Sequence, residues 1–267
     1  MYKKACKEVL NYIRPIIIGK KYYNNNNIIN DIGTLIVLNK HGDILTTKEI
    51  AENIILSIET KEVFDPIFKE LKDKKPKQIK KIENKYKLDN QTITNLSVQI
   101  VDVAQNITNI KIIFHNYLNL AIIKSDNNDL FINKFPKFST KDIEQGQTYI
   151  ATGFAFPEYE NFEYNFKTNE IESNHKKMNF PTYPIEGIIT RNLMDENGHI
   201  SEFEISSEIY IGMNGGPLLD KDGNIYGILS SNKNIYVNNV LVKRAGIAIK
   251  SKDIIEFLDK NNIEYGE

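Results

Sequence analysis

Few residues in this 267-residue chain have side chains suited to chemistry. The four histidines, His41, His115, His175 and His199, are scattered, and none has metal-ligand spacing to another histidine or to the single cysteine, Cys6. No metal site and no cofactor are therefore expected. The stretch that stands out is "YIGMNGGPLLDKDGNIYGI" at 210–228. Its glycines, Gly212, Gly215 and Gly216, suit a sterically demanding turn. Nucleophilic catalysis at such a turn would need an oxygen or sulfur nucleophile, a base that takes and returns its proton near neutral pH, and an anion that orients the base. The hydroxyls nearest in sequence are Ser206, Ser207, Ser230 and Ser231, and none lies within the glycine run. Between the glycines stands Asn214, whose amide lone pair is delocalised into its carbonyl. Each histidine reads as a turn or loop residue, and Cys6 lies far from the run in sequence.

Composition limits what such a turn can serve. A hydrophobic content of 41% is enough for a sizeable core in one large or two small β domains. With 34 basic and 35 acidic side chains the formal net charge is -1, so no global field draws the chain to nucleic acid or anionic membrane. One cysteine excludes a fold stapled by internal disulfides and suits a reducing compartment. The first residues carry no apolar run of signal-peptide length and no later stretch has the length of a membrane span, so a cytoplasmic location is expected. The abundance of Asn, Ile and Lys, as in "YYNNNNIIN" at 22–30, points to AT-rich coding DNA.

The elements that must position the turn are mostly short strands. "GTLIVLNKHGDILTT" (33–47), "GIITRNLMDENGHISEFEI" (187–205) and "PLLDKDGNIYGILSS" (217–231) each place apolar runs on either side of a glycine-containing pair, which predicts hairpins. Further strands are predicted at 95–101, 109–114, 118–124, 148–154, 234–242 and 245–249. So many short strands predict an antiparallel barrel or sandwich. Helices are predicted at 2–12, at 251–262 behind a Ser251 cap, and as a hairpin over 64–88 divided by Pro76.

Several of these segments, in this order, resemble the trypsin-like serine peptidases, particularly the bacterial HtrA-like branch. "GMNGGPLLDKDGNIYGI" is similar to the family's nucleophile loop and following hairpin. "GTLIVLNKHGDILTTKEIAENI" resembles the stretch around its catalytic histidine, and "YLNLAIIK" the strand that supplies its aspartate. "GQTYIATGFAFP" and "IEGIIT" resemble the opening strands of its second barrel, and "AGIAIKSKDIIEFL" its closing strand and C-terminal helix. The resemblance implies an all-β, chymotrypsin-like fold of two antiparallel six-stranded β-barrels with an N-terminal helix, a Lys-rich helical insertion and a C-terminal helix. The implied division is 1–140, carrying the insertion at about 52–90, and 141–267.

The same correspondence puts Glu49 where the family has histidine, Asn119 where it has aspartate and Asn214 where it has serine. No catalytic residue is expected at these positions. The resemblance further implies that the backbone N–H groups of Gly212 and Asn214 form the oxyanion-hole pair. It also implies that Gly227, Ile228, Leu229 and Ser230 belong to an edge on which a peptide adds as a strand. The expected protein is thus a catalytically inactive homologue, a pseudoprotease, binding an extended peptide or protein partner in the cleft between barrels. Two alternatives stay open: a serine-type endopeptidase with an unrecognised triad, and an interaction subunit that uses the Lys-rich insertion. That insertion, with nine lysines between Lys69 and Lys87, reads as a solvated face, and neither nucleic acid nor membrane is expected as a partner.

Overall fold

The computed structural model describes residues 2–105, 107–125, 129–156, 162–173, 180–195 and 198–266. The chain starts with a short helix, α1 (Lys3–Glu8), and a 3-10 turn, then enters the first sheet. Six strands build that sheet: β1 (Ile13–Tyr22), β2 (Ile28–Val37), β3 (Ile44–Thr46), β4 (Ile93–Ile100), β5 (Lys111–Phe114) and β6 (Ala121–Lys124). They pair antiparallel in the order β4-β1-β2-β3-β6-β5.

This first unit has the six strands expected of it, but β4 and β5 at its two edges do not pair with each other and the sheet is open. The reason lies between β3 and β4, where helix α2 (Lys48–Leu71) follows directly on β3. Its Ile50, Ala51 and Ile54 are buried against Ile16, Leu35, Val37, Ala121 and Ile123, so a helix lines the interior that a closed barrel would fill with strand side chains. The helix begins at Lys48, well ahead of the helical hairpin predicted over 64–88. Thr47 caps it, its Oγ1 accepting the N–H of Ile50, which is why the chain turns helical there. Helix α3 (Pro76–Tyr86) returns alongside, with the proline at its first turn. Ile67 and Ile82 are buried on these helices, while the lysines between Lys69 and Lys87 are exposed.

The second unit is a closed antiparallel barrel of β7 (Thr148–Ala151), β10 (Ile185–Leu193), β11 (Glu202–Ile205), β12 (Pro217–Leu219), β13 (Ile225–Val237) and β14 (Val240–Lys250), in the order β10-β11-β14-β13-β12-β7. A separate hairpin, β8 (Phe162–Asn165) with β9 (Glu170–Ser173), lays Phe162 over Gly19 of β1. The chain then forms α4 (Ser251–Lys260), whose Ile254 and Leu258 face inward as the sequence pattern predicts, with Phe257 buried beside them in place of the expected Ile255. The segment 234–242, predicted as one strand, is instead the tip of the β13–β14 hairpin. Asn238 and Asn239 both adopt positive φ there (50° and 63°), as a two-residue turn requires. Both units share one apolar core, in which Ile13, Ile17, Ile36 and Leu120 meet Ile150, Ile228, Ile249 and Phe257. That shared core fixes the first sheet against the barrel and so defines the cleft between them. Among the described residues, no helix is long and apolar enough to cross a membrane.

Candidate functional site

The glycine run sits at the seam of the two units, and its shape is set by groups on both. Gly212 and Gly215 take positive φ (95° and 82°), and a Cβ at either would run into a backbone carbonyl, of Phe154 and of Thr34 respectively. Thr34, fully buried on β2, is the main anchor. Its N–H donates to the Asn214 carbonyl at 3.0 Å and its Oγ1 to the Gly212 carbonyl at 2.8 Å, while Oγ1 also accepts the Phe154 N–H at 3.1 Å. Thr46 Oγ1 in turn donates to the Thr34 carbonyl at 3.0 Å. From the barrel side, Gly215 N–H donates to Leu229 at 2.8 Å and Leu229 N–H to Gly216 at 2.9 Å. In contrast, the N–H groups of Gly212 and Asn214 and the Asn214 carboxamide have no hydrogen-bond partner among the described residues.

The other two positions singled out in the sequence converge on the same seam. Glu49 lies in the first turn of α2, where a carboxylate suits the helix dipole, and its side chain is exposed. Its backbone N–H donates to Asn119 Oδ1 at 3.3 Å, and Asn119 Nδ2 donates to the Ser230 carbonyl at 3.2 Å. Ser230 follows Leu229, which holds Gly215 and Gly216. A continuous chain of hydrogen bonds thus joins Glu49, Asn119 and the Asn214 loop. Asn119 bridges the units with one acceptor and one donor atom, a task that an ionised carboxylate, having no donor, cannot perform in both directions.

The histidines lie elsewhere. His115 turns its ring onto Phe257 (4.9 Å between centroids), its Nδ1 accepts the Leu118 N–H at 3.1 Å, and burial holds its pKa below the ordinary 6.5. His41 lies 3.4 Å from Glu264 on an exposed turn, and His175 falls outside the described residues. His199 Nδ1 lies 2.8 Å from Ser201 Oγ, and its Nε2 lies 3.6 Å from Asp253 Oδ1. This Ser–His–Asp grouping, which sequence reasoning missed, occupies the β10–β11 connection and the start of α4. It borders a groove of about 540 Å³ whose opposite wall is Tyr117 and Leu118 of the first unit. Ser206 Oγ accepts the Ile188 N–H, Ser207 Oγ is 2.7 Å from Tyr149 OH, and Ser230 is fully buried. Cys6 is a free thiol on α1, packed against the core. Among the described residues, no three His, Cys, Asp or Glu side chains are grouped to hold a metal ion.

The stretch expected to pair with a peptide needs correction. Gly227 and Ile228 pair with β12 on one side and β14 on the other, and Leu229 is bonded to Gly215, Gly216 and β14, so 227–229 lies inside the barrel wall. Ser230 sits at a bulge with its carbonyl already taken by Asn119. The free edge of β13 begins beyond it. Asn232 faces Gly246 of β14, whose N–H points away to Ser207, so this is a non-hydrogen-bonded pair and the N–H and C=O of Asn232 point outward. The Asn232 side chain clamps this edge to the loop, with Oδ1 accepting from Ile209 N–H at 2.9 Å and Nδ2 donating to its carbonyl at 2.6 Å.

A ring cluster borders the loop. Phe156 N–H donates to the Ile211 carbonyl, and the rings of Phe156, Tyr183 and Tyr210 meet pairwise at 5.0–5.6 Å. Phe156 carries φ of 59°, an outlier for a bulky residue, and the residue is 41% exposed. Sequence reasoning missed this trio because its members lie far apart in the chain. It also missed Thr34, whose one signal is a polar letter inside the apolar run "GTLIVL".

Comparison with known proteins agrees with this architecture. The sequence model of the trypsin-like peptidase domain matches residues 33–228, a span that contains Glu49, Asn119 and Asn214. No curated protein matches the chain. Among solved structures, one described as "HtrA-type protease AlgW with tripeptide" matches with a TM-score of 0.51 and 15% identity, over 97% of this chain and 63% of that one. At that identity the likeness speaks for the fold, and the chain spans less than two thirds of that protein's length.

Proposed function

The chain belongs to the trypsin-like peptidase family, and from that premise we propose that it keeps the family's peptide cleft without the hydrolytic chemistry. Acyl transfer needs a nucleophile, a proton-exchanging base and an orienting anion. Asn214 is no practical nucleophile, Asn119 is neutral, and Glu49 supplies a carboxylate where the mechanism uses an imidazole. Losing one member of such a triad costs orders of magnitude in rate. The observation that carries the reading is the contrast within a single loop. Its backbone is held from both units by Thr34 and Leu229, yet the N–H groups of Gly212 and Asn214 are unpaired among the described residues. A peptide carbonyl fits that pair, and the outward N–H and C=O of Asn232 extend the contact as an added strand. The lone Cys6 suits a reducing compartment, so the partner is sought among cytoplasmic proteins.

The test is binding of a randomised peptide library, with captured peptides analysed by mass. Intact peptides, and roughly tenfold weaker capture by Asn232→Pro, are expected from the loss of one edge donor. Cleaved peptides, or capture indifferent to that substitution, would overturn the reading.

A second reading, hydrolysis by Ser201 with His199 as base and Asp253 behind it, is favoured by the 2.8 Å Ser201–His199 contact. Against it, Ser201 is only 7% exposed and Asp253 is 3.6 Å from the imidazole, beyond good hydrogen-bond length. Loss of hydrolysis on Ser201→Ala is the result that would support it.

A further inference from the structure

We propose that the occupant of the cleft is the C-terminus of a peptide, its free α-carboxylate held by the N–H groups of Gly212 and Asn214 and by the Asn214 carboxamide, with an apolar last side chain on the ledge made by Ile211, Phe156 and Tyr183. The inference rests on the peptide-binding reading above and says which end of the peptide the site takes. In a hydrolase the paired N–H groups meet an oxyanion that exists only in passing. Where no nucleophile stands beside them, no oxyanion forms, and the occupant that matches them best brings its own negative charge. A neutral peptide carbonyl offers one oxygen. A carboxylate offers two, with about four acceptor sites, and its charge-assisted bonds are roughly twice as strong.

The donors are present in the number a carboxylate uses. Gly212 is buried, yet its N–H has no acceptor among the described residues, and neither has the N–H or the carboxamide of Asn214. Their peptide planes are fixed through the carbonyls they share, the Phe156 N–H donating to Ile211 at 3.0 Å and the Gly216 N–H to Met213 at 2.9 Å, so the donors are preorganised. The apolar ledge is continuous with them. Ile211 immediately precedes Gly212 and is 68% exposed, and the Phe156 N–H to Ile211 carbonyl bond sets the ring cluster against it. Phe156 combines a strained backbone with exposure to solvent, two local costs that folding alone does not reward. Glu49, exposed at the same seam, opposes an anion only through solvent.

Twin hexapeptide libraries, one with free C-termini and one C-terminally amidated, test this by fluorescence anisotropy against the full chain. The best free-acid binder should weaken at least tenfold on amidation. Asn214→Asp, which leaves the backbone donors but adds a carboxylate, should weaken it by a similar factor. Asn214→Ala keeps both N–H groups but loses the carboxamide donor, and should weaken binding about three- to fivefold, less than Asn214→Asp; thermal melts show that both variants fold. Glu49→Gln should bind slightly tighter. Acetate serves as a second probe, and acetate that displaces the peptide at equal concentration would show a site for small carboxylates and overturn the peptide end. Equal affinity of acid and amide, with binding still lost in Asn232→Pro, would overturn the carboxylate and leave the cleft reading standing. Failure of both libraries to bind would overturn both.

Discussion

Two places in this molecule hold the halves of a hydrolase. The 212–216 loop has the architecture: positive-φ glycines, buried threonine anchors from the opposite unit and N–H groups unpaired among the described residues, with Asn214 at its centre. The Ser201–His199–Asp253 grouping has the right side chains, but its hydroxyl is buried and its carboxylate stands 3.6 Å from the imidazole. Side-chain identity is changed by one substitution, whereas a turn whose glycines press on the Phe154, Thr34 and Thr152 carbonyls is held by the packing of both units. The difference teaches that the shape of the loop is tied to the packing of both units, whereas the identity of its central side chain is not.

That comparison is open to breakage by substitution. The largest effect is expected at Gly215, where valine would combine positive-φ strain with collision against the Thr34 carbonyl. A loss of about 3 kcal/mol or more in urea denaturation, or failure to fold, is the predicted outcome. Next comes Asn119→Leu, which breaks the bridge between Glu49 N–H and the Ser230 carbonyl and should cost about 1–3 kcal/mol in the same assay. Ser201→Ala should cost about 1 kcal/mol or less, since it removes a single hydrogen bond to an exposed imidazole. If Ser201→Ala instead proved the more damaging of the first and third, the comparison would be reversed.

The smallest effect concerns pH. Burial holds the His115 pKa below 6.5 in the folded protein, so the unfolded chain binds the proton more readily. The stability contributed by neutral His115 is therefore complete above about pH 6.5 and falls as the pH drops from there toward the folded pKa. His115→Phe should flatten that part of the profile, read as the Tm difference between about pH 7.5 and pH 5.5. An unchanged profile would remove His115 from the account.

Much of the architecture was legible from local signals. The Asp222-Gly223 and His41-Gly42 hairpins formed where turn chemistry placed them, because a positive φ at glycine is a local demand. The opening of the first sheet was not legible. It depends on Ile50 and Ile54 of α2 substituting for strand side chains inside it, a tertiary choice that the sequence around Lys48 does not announce. Glu49 and Asn119 were identified by their place in a pattern, and their hydrogen bond follows from two chain segments 70 residues apart. The peptide edge was placed too early, because 227–229 looks like any strand until its two neighbours are known. The aromatic trio and the Ser201–His199–Asp253 grouping are long-range assemblies with no local signature.

The account's central claim is that the seam holds a peptide without forming an acyl-enzyme. Intact-mass measurement after exposure to a fluorophosphonate tests it most directly. The account predicts an unmodified mass for the wild-type chain and for Ser201→Ala alike. A stoichiometric adduct on the wild type that vanishes with a single Ser→Ala substitution would contradict it.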